Sequence, residues 1–159
     1  MKAKYMYGLL LMLSFSLISL SCSSDDEKMD SNNSADIILI KNIIQSNSWQ
    51  ITSFVDSGID ETNHFTGYSF TFYSNGILMA TNDSNEVNGT WSIIDSSNSN
   101  DDSNSSDDID FNIFFPSPAN FSDDLSEDWE ILSKNDNEIQ LIHISGGNGG
   151  TDTLTFEKN

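Results

Sequence analysis

The sequence predicts an all-β domain, an eight-stranded antiparallel up-and-down barrel preceded by one short α-helix. Three observations favour this fold class. From residue 49 onward apolar and polar residues alternate with a period of two, eight such runs occur, and turn-forming pairs such as Asn75-Gly76 separate them. Closing the sheet into a barrel removes the exposed strand edges that invite aggregation. A two-sheet β-sandwich fits the same alternation and is the alternative.

The elements follow in chain order. Ile37, Ile40, Ile43 and Ile44 recur at helical spacing, which predicts a short helix from Ala35 onward. The eight predicted strands cover residues 49–54, 68–73, 77–81, 87–93, 109–115, 129–131, 139–143 and 151–157. The residues between the first two strands, through His64, are interpreted as a polar loop.

The N-terminus reads as an export and anchoring signal. Lys2 and Lys4 precede an apolar stretch of residues 8–20, too short for a membrane-spanning helix, and small residues follow at Ser19 and Ser21. The sole cysteine, Cys22, comes next, and the arrangement resembles the lipobox of bacterial lipoproteins, in which this cysteine is acylated. A lone cysteine has no intramolecular disulfide partner, and its tail lacks the basic surroundings that activate a thiol.

We therefore divide the chain into three segments, the last of which contains an insertion. Residues 1–21 are a lipoprotein signal peptide, residues 22–34 an acidic flexible tether, and residues 35–159 the barrel domain. Within the domain, residues 95–108 consist only of Ser, Asn and Asp, which predicts a disordered insertion. The acidic stretch Ser23-Ser24-Asp25-Asp26-Glu27 resembles the export signal of surface-exposed lipoproteins of Bacteroidota, so the expected location is the outer membrane, facing the cell exterior. A plain polar tether, with the domain on the periplasmic face, is the alternative.

Composition restricts the partners. The net charge is −19, and the chain has six lysines and no arginine. Such a chain repels nucleic acids and anionic headgroups, so membrane attachment depends on the acyl chains of Cys22. Without arginine the usual bidentate clamp for carboxylates or phosphates is missing.

Several short motifs resemble the lipocalin-like lipoproteins of Bacteroidota over residues 36–158. These are Trp49-Gln50-Ile51-Thr52-Ser53, Gly67-Tyr68-Ser69-Phe70-Thr71-Phe72 with Asn75-Gly76, Gly89-Thr90-Trp91-Ser92-Ile93, Trp129-Glu130-Ile131 and Leu154-Thr155-Phe156-Glu157-Lys158. The resemblance implies a non-catalytic barrel that binds a small, partly hydrophobic molecule. True lipocalins pack an arginine over the first-strand tryptophan, so the closed end of this barrel must be built differently.

Six aromatic residues are the candidate ligand-binding set. They alternate along the strands and either line an apolar cup or form the packed core of a small barrel. The residues are Tyr68, Phe70, Phe72, Trp91, Phe111 and Trp129.

No catalytic, cofactor or metal site is predicted. His64 and His143 lack a recognisable metal-ligand spacing, and no nucleophile motif accompanies them. The acidic residues 95–110 lack the glycine and terminal glutamate of an EF-hand, so a solvated loop is favoured over a calcium site. The rival to ligand binding is a filled barrel that contacts a protein or glycan through its surface.

Overall fold

The computed structural model describes residues 30–96, 109–146 and 150–159. The signal peptide, Cys22, the first part of the tether and residues 97–108 of the insertion lie outside this part of the chain. The elements are α1 Asp30–Ile44, β1 Ser48–Asp56, β2 Ile59–Asp60, a 3₁₀ helix Thr62–Phe65, β3 Ser69–Phe72, β4 Ile77–Asn82, β5 Asn85–Asp95, β6 Ile109–Phe114, α2 Ala119–Leu125, β7 Asp128–Lys134, β8 Glu138–Ile144 and β9 Thr151–Lys158.

The strands form a closed antiparallel barrel, as the sequence predicts. Each of the eight long strands pairs with its neighbour along the chain, and β1 also pairs with β9, which closes the sheet. The two-residue β2 pairs only with β1, at the edge of the ring. The pairing of β1 with β9 excludes the two-sheet sandwich, in which the first and last strands would leave open edges.

Alternation along the strands sorts side chains between interior and exterior. Strand β5 shows this best, because Val87, Gly89, Trp91 and Ile93 are buried while the residues between them are exposed. Gly89 is required where it stands, since a Cβ there would overlap the backbone carbonyl oxygen of Phe114 and lie 2.6 Å from Cδ1 of Phe115. The Gly-x-Trp motif on β5 therefore has a packing reason: the glycine makes room for an inward-pointing phenylalanine.

Helix α1 covers one end of the barrel. Ile40, Ile43 and Ile44 are buried in the single core cluster, as their spacing predicts. The helix begins at Asp30 rather than near Ala35, so it includes five residues that we interpreted as tether. A hydrogen bond attaches the first turns of α1 to the barrel: Asn33 Nδ2 donates to Oδ1 of Asp95, at the end of β5, at 3.3 Å.

The junction between α1 and the barrel is built on Trp49. Its indole Nε1 donates to the carbonyl of Ile44 at the end of α1, at 2.7 Å. Lys158, the partner of Trp49 in the pairing of β1 with β9, has its Nζ 5.8 Å from the ring centroid. A lysine thus supplies the cation over the first-strand tryptophan in a chain without arginine.

Two connections between strands contain helical structure. The connection from β1 to β3, interpreted as a polar loop, includes β2 and the 3₁₀ helix, with Phe65 buried. The connection from β6 to β7 contains α2, with Phe121 and Leu125 buried. In an up-and-down barrel both connections lie at the end opposite α1, so helical segments cover both ends.

Candidate functional site

The barrel interior holds five of the six candidate ligand-binding residues. Phe70, Phe72, Trp91, Phe111 and Trp129 are all buried, with at most 6 % of their surface exposed. Tyr68 is only partly buried and packs against the core. The structure therefore gives five of these residues an inward orientation, as the alternation predicts.

These rings pack against one another. Phe72 makes edge-to-face contacts with Trp91, Phe111 and Phe156, with centroids 5.4, 5.8 and 5.5 Å apart. Phe70 also contacts Phe156, at 5.5 Å. Such separations leave no gap for another molecule between these rings, and each edge-to-face pair adds about 0.5–1.5 kcal/mol beyond simple burial. That they also touch a ligand stays a prediction.

Trp129 is the partner of Phe111 in the pairing of β6 with β7, but its ring packs elsewhere. Its Nε1 donates to the carbonyl of Leu125 at 3.1 Å, and its ring lies 6.0 Å from that of His143. It therefore links the end of α2 to β8, and it forms no ring pair with the other candidate residues within the described part of the chain.

The barrel end opposite α1 is closed by aromatic residues that our sequence analysis did not single out. Phe121 of α2 lies 5.4 Å from Phe65, 5.0 Å from Tyr68 and 5.1 Å from Phe115, all edge to face. Phe121 and Leu125, four residues apart, share one face of α2. That spacing was the available signal, although two apolar residues among polar ones predict little on their own.

A histidine–carboxylate pair joins the two segments that close this end. His64 of the 3₁₀ helix has its Nδ1 2.8 Å from Oδ2 of Asp124 on α2. Asn120 Nδ2 also donates to the carbonyl of His64, at 3.5 Å. The hydrogen bond to Asp124 raises the pKa of His64 above its ordinary value, with Glu61 adding a smaller effect of the same sign.

The second histidine stands among three carboxylates at the same end of the barrel. His143 Nε2 lies 3.6 Å from Glu127 Oε2 and 3.7 Å from Asp128 Oδ1, and Nδ1 lies 3.5 Å from Asp152 Oδ2. Neither histidine received a role from the sequence, because their partners are distant along the chain. Only the closure of β7, β8 and β9 into one wall brings the residues of the second cluster together.

Two cavities differ in position and lining. A small cavity of about 70 Å³ lies between α1 and strands β6 and β7. It is lined by Asp36, Ile40, Ile109, Ile131 and Lys134. A shallow groove of about 260 Å³ runs along β5 and β6 and is lined by Thr90, Trp91, Ser92, Asn112, Ile113 and Phe114. Its outward-facing residues are three polar side chains and an exposed phenylalanine.

No family model matches the chain, and no curated protein is similar to it. A similar solved structure is that of a DUF4847 family protein from Bacteroides vulgatus ATCC 8482, 16 % identical, with a TM-score of 0.48 over 76 % of this chain and 97 % of that chain. In the described residues no helix has the length and apolar character needed to cross a membrane. Fold and interior together define a closed, eight-stranded β-barrel with a densely packed aromatic core.

Proposed function

We propose that this protein is a non-catalytic outer-membrane lipoprotein that binds a protein or glycan partner through the exterior of its barrel. The observation that carries the proposal is the packing of the interior. Phe72 is in edge-to-face contact with three other rings, and these rings are buried. Pockets for small molecules commonly measure about 300–1,000 Å³, whereas the cavity beneath α1 is about 70 Å³.

The exterior offers a specific surface for such a partner. Ile77, Thr90 and Phe114 are paired in register across β4, β5 and β6 and form one outward-facing row. Phe114 is 56 % exposed and Ile77 is 40 % exposed. An exposed aromatic ring beside hydroxyl and amide groups suits both a sugar ring and an apolar side chain.

Site-specific photo-crosslinking in the native cells tests this surface. A photoreactive amino acid in place of Phe114 should give a discrete adduct, because position 114 lies at the groove. The same amino acid in place of Gln50, an exposed residue of β1 on a different part of the barrel, is the matched control. Protease or glycosidase treatment of the adduct identifies the partner class. Absence of an adduct at 114, or equal labelling at both positions, would contradict the proposal.

A small, partly hydrophobic ligand is the second candidate function. It is favoured by the cavity under α1, which has Ile40, Ile109 and Ile131 in its lining. A molecule larger than this cavity requires α1 to move away from the barrel, so binding should destabilise the contacts of α1. Hydrogen exchange of α1 amides with and without an extract of the cell's lipids tests this candidate, and unchanged exchange would count against it.

The anchor is the third part of the proposal. Acylation of Cys22 would attach the barrel to the outer membrane by two or more chains, which suffices for stable binding. The variant Cys22→Ser should leave the membrane fraction and appear in the soluble envelope fraction. A variant that is processed and still pellets with the membrane would refute lipidation. Surface exposure predicts that protease added to intact cells degrades the wild-type protein.

A further inference from the structure

His143 stands where four structural segments meet. It lies near the end of β8, Glu127 and Asp128 lie at the start of β7, and Asp152 lies near the start of β9. Ser57, from the turn after β1, donates its backbone N–H to Asp152 Oδ1 at 2.9 Å. The position of the ring is therefore fixed by residues that are far apart in sequence.

The charges of this cluster are unbalanced. Three carboxylates face one imidazole, which carries at most one positive charge. Every ion pair among the described residues involves one of the two histidines, so none of the lysines in this part of the chain has its ammonium within 4.0 Å of these carboxylates. In a chain of net charge −19, an exogenous cation is the group that would complete the balance.

The distances distinguish this cluster from a hydrogen-bonded one. The separations of 3.6 and 3.7 Å from Nε2 exceed a hydrogen bond, and Nδ1 is buried with no hydrogen-bond partner. Nitrogen and oxygen ligands placed about 2.1 Å from a tetrahedral Zn²⁺ are separated from each other by about 3.4 Å. The three candidate ligand atoms all lie within 4.8 Å of one another, so a small movement brings them to that spacing.

Asp152 lies beside the other nitrogen of the imidazole ring. Metal-bound histidines usually direct their other ring nitrogen at a carboxylate, which fixes the tautomer and the ring orientation. Here Nδ1 faces Asp152 Oδ2 at 3.5 Å while Nε2 faces Glu127 and Asp128. The carboxylate of Asp152 is itself held by the N–H of Ser57. The 3.5 Å separation is not a hydrogen bond, and a small shift of the ring toward Asp152 would make it one.

We propose that His143, Glu127 and Asp128 bind a divalent transition-metal ion, with Zn²⁺ the best match, and that Asp152 orients His143 for it. An imidazole with two carboxylates suits first-row transition ions, whereas Ca²⁺ takes oxygen ligands alone. Three protein ligands leave a fourth position for water or for a group of a binding partner. The ion would join the ends of β7 and β8 at the barrel end that α2 covers.

The other histidine cluster provides an internal comparison. His64 Nδ1 is already in a direct 2.8 Å hydrogen bond with Asp124, and the carboxylate of Glu61 is 3.8 Å away. An ion at His64 would have to break that hydrogen bond. Because the chain has only two histidines, His64→Gln is a matched control for His143→Gln.

Isothermal titration calorimetry with ZnCl₂ tests the proposal. The protein is the full chain in detergent, carrying Cys22→Ser so that no thiol competes, and a millimolar excess of Ca²⁺ occupies weak carboxylate sites. We expect one Zn²⁺ per chain. His143→Gln should weaken binding at least about tenfold and Asp152→Asn about tenfold, since loss of an outer partner commonly costs about 10–100-fold. His64→Gln should leave the affinity unchanged.

Three results would overturn the proposal: no Zn²⁺ binding above Ca²⁺, equal loss in both histidine variants, or loss in His64→Gln alone. Each variant is first compared with the parent by near-ultraviolet circular dichroism without metal. If His143→Gln does not fold, the imidazole proton resonances of the parent give the answer. Zn²⁺ should shift the signal of His143 and leave that of His64 in place, and the reverse pattern would contradict the assignment.

Discussion

Replacing Phe121 with alanine tests whether α2 closes the end of the barrel opposite α1. Phe121 is fully buried and contacts four rings, those of Phe65, Tyr68, Phe70 and Phe115. Truncation of a buried phenylalanine to alanine usually costs about 3–5 kcal/mol. Because four rings lose a partner here, we expect the free energy of unfolding to fall by about 4 kcal/mol, a large part of the about 5–15 kcal/mol typical of a domain.

Urea denaturation followed by tryptophan fluorescence measures this loss. With a slope of about 1–3 kcal/mol per molar urea, the midpoint should fall by more than about 1 M at an unchanged slope. The matched control is Phe114→Ala, because Phe114 is 56 % exposed on β6 and its removal should change stability by no more than about 0.5 kcal/mol. A loss below about 1 kcal/mol for Phe121→Ala, or equal losses in the two variants, would refute the claim that α2 closes this end of the barrel.

Three further predictions concern other parts of the molecule. Gly89→Ala should lower the free energy of unfolding by at least about 1–3 kcal/mol in urea, because its Cβ would overlap the ring of Phe115; an unchanged midpoint would show that β5 and β6 adjust freely. The contact with Asp124 raises the pKa of His64, so its stabilisation is complete below about pH 6.5 and disappears as the pH rises through the raised value. Melting temperatures of the wild type should therefore converge on those of His64→Gln with rising pH, and a constant difference would count against this. Deleting residues 97–106, which are only Ser, Asn and Asp, should leave the melting temperature nearly unchanged, whereas a large decrease would mean that they pack on the barrel.

The barrel was predictable because its signal is local. Each short run of sequence shows period-two alternation and ends in turn residues. The same alternation predicts that Phe70, Phe72 and Phe111 point into the core. Closure of β1 on β9 follows from the need to cover edges in a small all-β domain. The fold class therefore needed no information about distant contacts.

The parts that escaped prediction depend on distant contacts. Helix α2, with the sequence ANFSDDL, is short and rich in residues that favour turns, and it is stabilised by the rings that Phe121 meets in the barrel. The first turns of α1 are held through Asn33 and Asp95, which are 62 residues apart. Neither contact can be predicted from the local helix propensity of the sequence.

The histidine clusters were missed for the same reason. His64 and Asp124 are 60 residues apart, and His143 meets residues from β7 and β9 only after the barrel closes. The sequence contains an excess of carboxylates, so no spacing among them is distinctive. Only their convergence on an imidazole, seen in three dimensions, separates these carboxylates from the solvated ones.

Native mass spectrometry of the protein, isolated from its own cells in mild detergent, tests the central claim most directly. If the barrel interior is packed and the protein acts through its exterior, the native mass shows no retained organic molecule beyond the covalent mass that the denatured protein gives. Incubation with a lipid extract of the same cells should leave that mass unchanged. An additional mass of a few hundred daltons, held by the folded protein and released on denaturation, would contradict the account and identify a cargo inside the barrel.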